Sequence, residues 1–343
     1  EYSAKFPLQV CFPNELSMLE GKAKGEVAKR LKPPRAGFAI SGRQRLLANP
    51  LELLPFHLYG FAETRLPQAG WNHIGSFIAY SGPPVQGPRP AAGCALWLRT
   101  GLPIQSPHGP AYFTKEPAVV VHASPTRLLV NLDCGPLRLQ VLVMHAPHSQ
   151  RPLAEIDEWW ARAAELVPPL SHATRPLIVL ADANATIGSR TSRCVGPAGA
   201  QNEGPTGVRL HRFMETLSLC APSTFHGRTV EHGTWARPGS WDFRRRLDYI
   251  LVPIGALDDV AKCGPAREVD ASISAADHLA VKAVLQVPCS QFTTRTPGKV
   301  NIPLSAEKLA CPDAARKVQD HLSLTPSPRW EVSPSLHCAV LDA

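Results

Sequence analysis

The chain lacks the marks by which many proteins of its length are classified. Its nine cysteines, Cys11, Cys94, Cys134, Cys194, Cys220, Cys263, Cys289, Cys311 and Cys338, include no CxxC pair. An odd, scattered set argues against a disulfide framework and against a thiolate zinc site, and for a reducing, intracellular setting. No G-x-G-x-x-G follows the first recognisable strand, which argues against a doubly wound dinucleotide fold. No apolar run is long enough to span a bilayer, and no secretory signal stands at Glu1, so no membrane association is expected. No internal repeat is evident, which excludes solenoids and propellers. Beginning at Glu rather than Met, the chain is expected to be a piece of a longer polypeptide. Acidic residues are the scarcer sign: 28 Asp and Glu stand against 36 Lys and Arg, a net charge of +8. That balance suits a polyanionic partner, although solvated surface Arg produces it as often.

What is present is a chain of 343 residues, 44% hydrophobic, punctuated by 35 Pro and 24 Gly. That is enough to bury one large core or two small ones. Residues 1–35 carry Lys and Pro with little periodicity and read as a leader or linker. From about 36 to 290, strand-like and helix-like segments alternate. "PFHLYGFAE", "CALWLRT", "PAVVVHA" and "PLIVLAD" read as strands, and "RLLVNLDCGPLRLQVLVMHAP" as a hairpin about Cys134-Gly135-Pro136. Ile156, Trp159, Trp160, Ala163 and Leu166 share one face of a helix that starts near Pro152. Leu210, Phe213, Met214 and Leu217 mark a second helix. "RLDYILVP" and "HLAVKAVLQV" read as further strands. Residues 291–343 read as linker, with helical character over Ala306–Leu324. Many strands and few helices predict an α/β (α+β) architecture, a layered sandwich of two sheets packed face to face with helices outside.

Five polar sites sit at the ends of apolar strands. Glu63 ends "HLYGFAETR", His145 and His148 end "VLVMHAPH", and Asp182 and Asn184 end "LIVLADAN". Asp248 opens "RLDYILV", and Asp277 and His278 open "ADHLAVKAV". Strand ends held by a packed core are rigid platforms for chemistry. Singly, each has an ordinary reading: a solvated acid, or a turn in the case of Asp-x-Asn. His145-Ala-Pro-His148 is not presented on a helix, which argues against metal binding by both imidazoles. Jointly, the carboxylates, an amide and a His, without a thiol nucleophile, suit a hard cation with oxygen ligands, Mg²⁺ or Mn²⁺.

Taken in order, "GFAETRLP", "VMHAPHS", "LADANA", "HGTW", "RRLDYILV" and "ADHLAV" resemble the motifs of the endonuclease/exonuclease/phosphatase superfamily over residues 36–290. The spacer "VGPAGAQNEGPTGVRLHRFMETLSLCAPSTF" looks like that of the endonuclease domains of non-LTR retrotransposons, and the Pro-containing stretch after it like the approach to a reverse transcriptase. The resemblance implies a four-layer sandwich of two mixed β-sheets flanked by helices, with the active site at one edge. It implies metal ligation by Glu63 with help from Asp277. It implies that Asp182 orients or deprotonates the attacking water, with Asn184 on the phosphate. His278 would contact the scissile phosphate and Asp248 would fix that His. DNA as substrate, a reverse transcriptase domain in the same polyprotein and an intracellular, nuclear setting follow from the same resemblance. Arg244, Arg245 and the Trp235 and Trp241 rings are candidate DNA contacts, each with a plainer reading as solvated charge or core packing.

The sequence departs from the family pattern at four places. The Asn that ends the first core strand has no counterpart near "GFAISGR", where Ala39 or Ser41 stands. His145 replaces the Tyr of Tyr-x-Pro and keeps a hydrogen-bond donor for phosphate. Ala181 and Ala276 replace a Gly and a Ser. A nicking endonuclease, another phosphoesterase of the superfamily and a nucleic-acid-binding module without activity are the competing expectations.

Overall fold

The computed structural model of the protein describes residues 5–13, 39–85, 92–106, 109–114, 118–134, 137–167, 175–227, 232–237, 242, 244–269 and 277–288. The linker expected over 291–343, Trp241 and Ala276 lie outside these residues. In chain order the elements are β1 (Lys5–Phe12), α1 (Ala39–Leu51), β2 (Leu58–Phe61), β3 (Gly70–Ile74), β4 (Phe77–Ser81), β5 (Ala95–Arg99), β6 (Ile104–Ser106), β7 (Gly109–Ala111), β8 (Ala118–Ser124) and β9 (Arg127–Cys134). There follow β10 (Leu137–His145), α2 (Leu153–Glu165), β11 (Leu177–Asp182), α3 (Pro205–Thr216), β12 (Leu219–Cys220), β13 (Asp248–Pro253), β14 (Val260–Pro265) and β15 (Val281–Pro288).

The strands assemble into a seven-stranded sheet, order β14-β15-β1-β2-β5-β4-β3, a six-stranded sheet, order β12-β13-β11-β10-β9-β8, and a small β6-β7 hairpin. Both large sheets are mixed. β1 runs parallel to β2 and antiparallel to β15, and β10 runs parallel to β11 and antiparallel to β9.

Side chains alternate across a strand, so each central strand feeds two apolar layers. In β11, Ile178 and Leu180 join Leu8, Val10 and Leu58 in the core between the sheets. Leu177 and Val179 face the other way, onto Ile156 and Trp160 of α2 and Phe213 and Met214 of α3. In the first sheet, Cys11, Tyr59 and Phe61 turn outward onto Leu47, Ala48 and Leu51 of α1. Three apolar layers between α1, two sheets and the α2–α3 pair make the four-layer sandwich expected from the sequence. Gly60 lets the sheets meet closely: a Cβ there would lie 2.5 Å from Leu180 Cδ1 and 3.2 Å from Val143 Cγ2.

Both expected helices form on the expected faces. Ile156, Trp160 and Ala163 are buried in α2, whose N-cap is Pro152, and Leu210, Phe213 and Met214 are buried in α3. The β9–β10 hairpin pairs as expected, Leu137 opposite Cys134. No helix among the described residues is long and apolar enough to cross a membrane.

Residues 5–12, expected to belong to a leader, instead form β1 near the middle of the larger sheet. Leu8, Val10 and Phe12 are fully buried. The period-two alternation was present in "FPLQVCF", but Pro7 argues against a central strand. The register resolves the conflict. β1 pairs with β15 along its whole length, from Lys5 to Phe12, and with β2 only at Val10 and Cys11. Pro7 therefore lies where the strand has one neighbour, and its missing N–H costs no ladder bond on the other side. Ala39 opens α1 instead of closing a strand. The residue at the end of the first core strand is to be sought after Phe12, and Pro13-Asn14 follows it in sequence.

Candidate active site

Strand register assembles half of the site. In the six-stranded sheet His145 of β10 is paired with Asp182 of β11, and Asp182 with Asp248 of β13. Three polar residues thus stand side by side at the ends of three adjacent apolar strands. Asp182 and Asp248 are 2% and 1% exposed. A carboxylate so buried needs donors or opposite charge. Asp182 Oδ1 accepts the backbone N–H of Asn184 at 3.0 Å. The Asn184 amide donates to the Ala146 carbonyl at 2.8 Å, so it ties the end of β11 to that of β10.

Asp248 has a hydroxyl and an imidazole for partners. Thr234 Oγ1 donates to its Oδ2 at 2.7 Å, and His278 Nδ1 lies 2.8 Å from the same oxygen. Thr234 also accepts the backbone N–H groups of Leu247 and Asp248. Burial lowers the His278 pKa, but the Asp248 charge and hydrogen bond, with the charges of Asp182 and Asp277, outweigh it and raise it to about 10. The Asp248 charge and hydrogen bond thus favour the protonated ring. Asp182, Asp248 and His278 offer ligand atoms within 4.8 Å of one another.

The seven-stranded sheet supplies the other half. Glu63 follows β2, and its Oε1 lies 3.5 Å from His145 Nε2, which is in turn 3.7 Å from Asp182 Oδ2. His145 thus stands between carboxylates of the two sheets. The Glu63 loop is pinned by Thr64 and Arg65 N–H groups on the Gly93 and Ala92 carbonyls, and Arg65 Nη2 pairs with Glu63 at 2.9 Å. Glu63, Arg65 and Asn184 all have φ near +50°. Such backbone costs of order 1–3 kcal/mol per residue and clusters at functional sites. Asp277 enters beside His278. Its Oδ2 is 3.4 Å from Trp235 Nε1, and its Oδ1 is buried without a hydrogen-bond partner.

A buried carboxylate oxygen without a partner, beside further carboxylates, is a donor set that fits a hard divalent cation. Asp248 and His278 are already spent on each other, so oxygens of Glu63 and Asp277 are the better candidates to hold it.

The "HGTW" segment also reaches the site, through Thr234 on Asp248 and Trp235 beside His278. Trp235 bridges both to Arg245 and to His278, which brings β13 and β15 to one place. Arg245 is exposed and stacks over the Trp235 ring at 5.7 Å. Arg244 is exposed and paired with Asp242. The third arginine of "FRRRLDY" was not singled out from the sequence. Arg246 is buried and donates to the carbonyls of His232, Ala198 and Gly199. Gly199 has φ +60°, and a Cβ there would lie 2.4 Å from Arg246 Nη2, so glycine is needed for the clamp. His148, unlike His145, is exposed; Asn14 and Trp241 lie outside the described residues.

Two facing mixed sheets with flanking helices, and polar groups gathered at one set of strand ends, are the layered architecture expected from the sequence. Solved structures agree. The chain is similar to the AP endonuclease LMAP from Leishmania major, with TM-score 0.54 and 11% identity over 82% of this chain and 89% of that one. It is similar to the 3′ phosphatase NExo from Neisseria bound to product DNA hairpin, with TM-score 0.53 and 14% identity over 81% and 99%. An AP endonuclease from Archaeoglobus fulgidus gives TM-score 0.51 and 13% identity over 82% and 100%. No protein-family model and no curated protein matches the sequence. At these identities the likeness establishes the fold.

Proposed function

We propose that the chain is a divalent-metal-dependent phosphodiesterase, and specifically an endonuclease that nicks one strand of target DNA in retrotransposition and leaves a 3′-hydroxyl for priming. The observation that carries the hydrolytic reading is the Asp248–His278 pair facing Asp182, with Glu63 beside them on the opposite sheet. A charged imidazole suits the negative charge that develops on phosphate oxygens. Asp182, fixed by the Asn184 N–H, orients an attacking water and takes its proton. Asp248 holds His278 in one tautomer and one orientation. Mg²⁺ or Mn²⁺, held by Glu63 with Asp277, would supply charge relief on the phosphate and at the leaving oxygen. His145 donates a hydrogen bond to phosphate in place of the family's Tyr.

DNA as substrate is supported by the net charge of +8 and by Arg244, Arg245 and Trp235 at the rim of the site. NExo was solved with a DNA hairpin. The retrotransposon reading, with a reverse transcriptase in the same polyprotein and a nuclear setting, rests on the motif order and on the spacer over residues 195–225. The reading as a binding module without activity drew on a missing first-motif Asn. That reading also draws on His145 and Ala276; Asn14, two positions after β1 in sequence, is a further candidate for the Asn and lies outside the described residues.

The test is conversion of supercoiled plasmid to nicked circles. Nicking is expected with Mg²⁺, none with EDTA, and none in Glu63→Ala or His278→Ala. Salt-sensitive DNA binding without nicking in any folded sample would select the binding module. No DNA binding would direct the search to other phosphodiesters.

A further inference from the structure

The backbone of Arg245 is held from two directions. On one side it pairs with the "HGTW" segment. Its N–H donates to the Trp235 carbonyl at 3.3 Å, and its carbonyl accepts the N–H groups of Thr234 and Trp235 at 2.7 and 2.8 Å. On the other side a side chain stands where a neighbouring strand would. The Gln201 amide nitrogen donates to the Arg244 carbonyl at 2.5 Å, and the amide oxygen accepts the Arg246 N–H at 3.0 Å. A primary amide carries both a donor and an acceptor, so it can serve as the peptide group of an adjoining strand. Gln201 is itself anchored to the loop that follows Asp182 and Asn184. Its N–H donates to the Ile187 carbonyl at 3.2 Å, and its carbonyl accepts the Ser189 N–H at 3.0 Å. The two segments meet closely at Gly188, where φ is +118° and a Cβ would lie 2.8 Å from Ala200 Cα.

Gln201 therefore ties the loop that leaves Asp182 to the segment that carries Arg244 and Arg245. We infer that Gln201 is a positioning residue for DNA. It fixes the exposed Arg245 guanidinium at a set distance from Asp182, so that a backbone phosphate held by Arg245 stands in register with the phosphate that is cut. Contacts of this kind set a protein's place on the duplex without reading its sequence. The inference rests on the nuclease reading for its DNA, but the anchoring of Arg245 does not. Without the Gln201 amide, the Arg244 carbonyl and the Arg246 N–H lose their partner. Arg245 then keeps its charge but samples more orientations off the Trp235 ring, over which it now lies at 5.7 Å. Ordering it again on a phosphate costs affinity.

The test is the salt dependence of binding of the full chain to a mixed-sequence DNA duplex in EDTA. Gln201→Met keeps the length of the side chain and the net charge but makes neither hydrogen bond. It is expected to lower the slope of log affinity against log salt by about 1, the share of one phosphate contact, as Arg245→Ala does. In an Arg245→Ala background, Gln201→Met should change neither slope nor affinity further. A glutamine that only supports the fold would lower the melting temperature and leave the slope as it is. An unchanged slope in either single variant, or a further loss in the double variant, overturns the inference. If Gln201→Met does not melt cooperatively, Gln201→Asn, whose amide is one methylene too short to reach both groups, takes its place with the same expected outcomes. If the unaltered chain does not bind DNA, the nuclease reading fails. The positioning is then decided by NMR of the Trp235 indole N–H. A shift in Gln201→Met in the direction given by Arg245→Ala upholds the anchoring of Arg245 without the nuclease, and an unmoved resonance overturns it.

Discussion

His278 is the residue whose chemistry the fold changes most. Burial acts to remove its proton, and the Asp248 charge and hydrogen bond act to keep it, joined by Asp182 and Asp277. The result is a pKa raised from 6.5 to about 10. The folded state therefore binds the proton more tightly than the unfolded chain. The pair's contribution to stability is complete below about pH 6.5 and is lost as pH rises towards about 10. In the metal-free protein, NMR of the imidazole should find it protonated at about pH 8, and Asp248→Asn should bring its midpoint below that of a free histidine, because burial then dominates. A neutral ring at about pH 8 in the unaltered protein would contradict the assignment. Asp182→Asn should lower the nicking rate by about 10²- to 10⁴-fold, the range for a general base, with the melting temperature kept or raised. A smaller rate loss would move the base elsewhere. The carboxylates and His278 were legible as polar residues at strand ends. Thr234 and Arg246 were not, because their roles consist of hydrogen bonds to chain segments distant in sequence, which no local pattern encodes.

At the scale of elements, apolar runs and helical periodicity marked β10, β11, β13, α2 and α3 because those segments bury one or two whole faces. β1 was hidden by Pro7 and by the neighbouring Lys, and with it the residue that follows. Asn14 stands two positions after the last residue of β1. If it supports the metal or phosphate from behind its ligands, Asn14→Ala should reduce nicking by about 10- to 100-fold, the usual cost of losing such support, while thermal unfolding stays the same. The sheet-to-sheet contact makes a contrasting prediction. Gly60 of β2 has Leu180 and Val143 against it, so Gly60→Val overpacks the core between the sheets. It should destabilise the fold by about 1–3 kcal/mol, measured by urea unfolding, and should lower activity only through the folded fraction. A stable but inactive Gly60→Val protein would show that β2 sets the position of Glu63 more sensitively than it sets the packing.

For the whole molecule, the position of β1 decides where the folding unit begins. The larger sheet runs β14-β15-β1-β2-β5-β4-β3, so among the described strands β1 joins the β14–β15 pair to the other four. Removing it exposes the β2 edge and leaves unpaired the face of β15 that it covers from Val281 to Pro288. It also strips Leu8, Val10 and Phe12 from the core between the sheets and Cys11 from the layer under α1. Glu63 follows β2, while Asp277 and His278 precede β15, so the same cut separates the two supports of the seven-stranded side of the site. A chain of residues 36–290, the span suggested by motifs alone, should therefore fail to fold cooperatively, with loss of near-ultraviolet circular dichroism and no thermal transition. A chain of residues 1–290 should melt in a single step and keep its metal-dependent nicking. Cooperative unfolding of the shorter chain would mean that β2 and β15 can close the gap themselves.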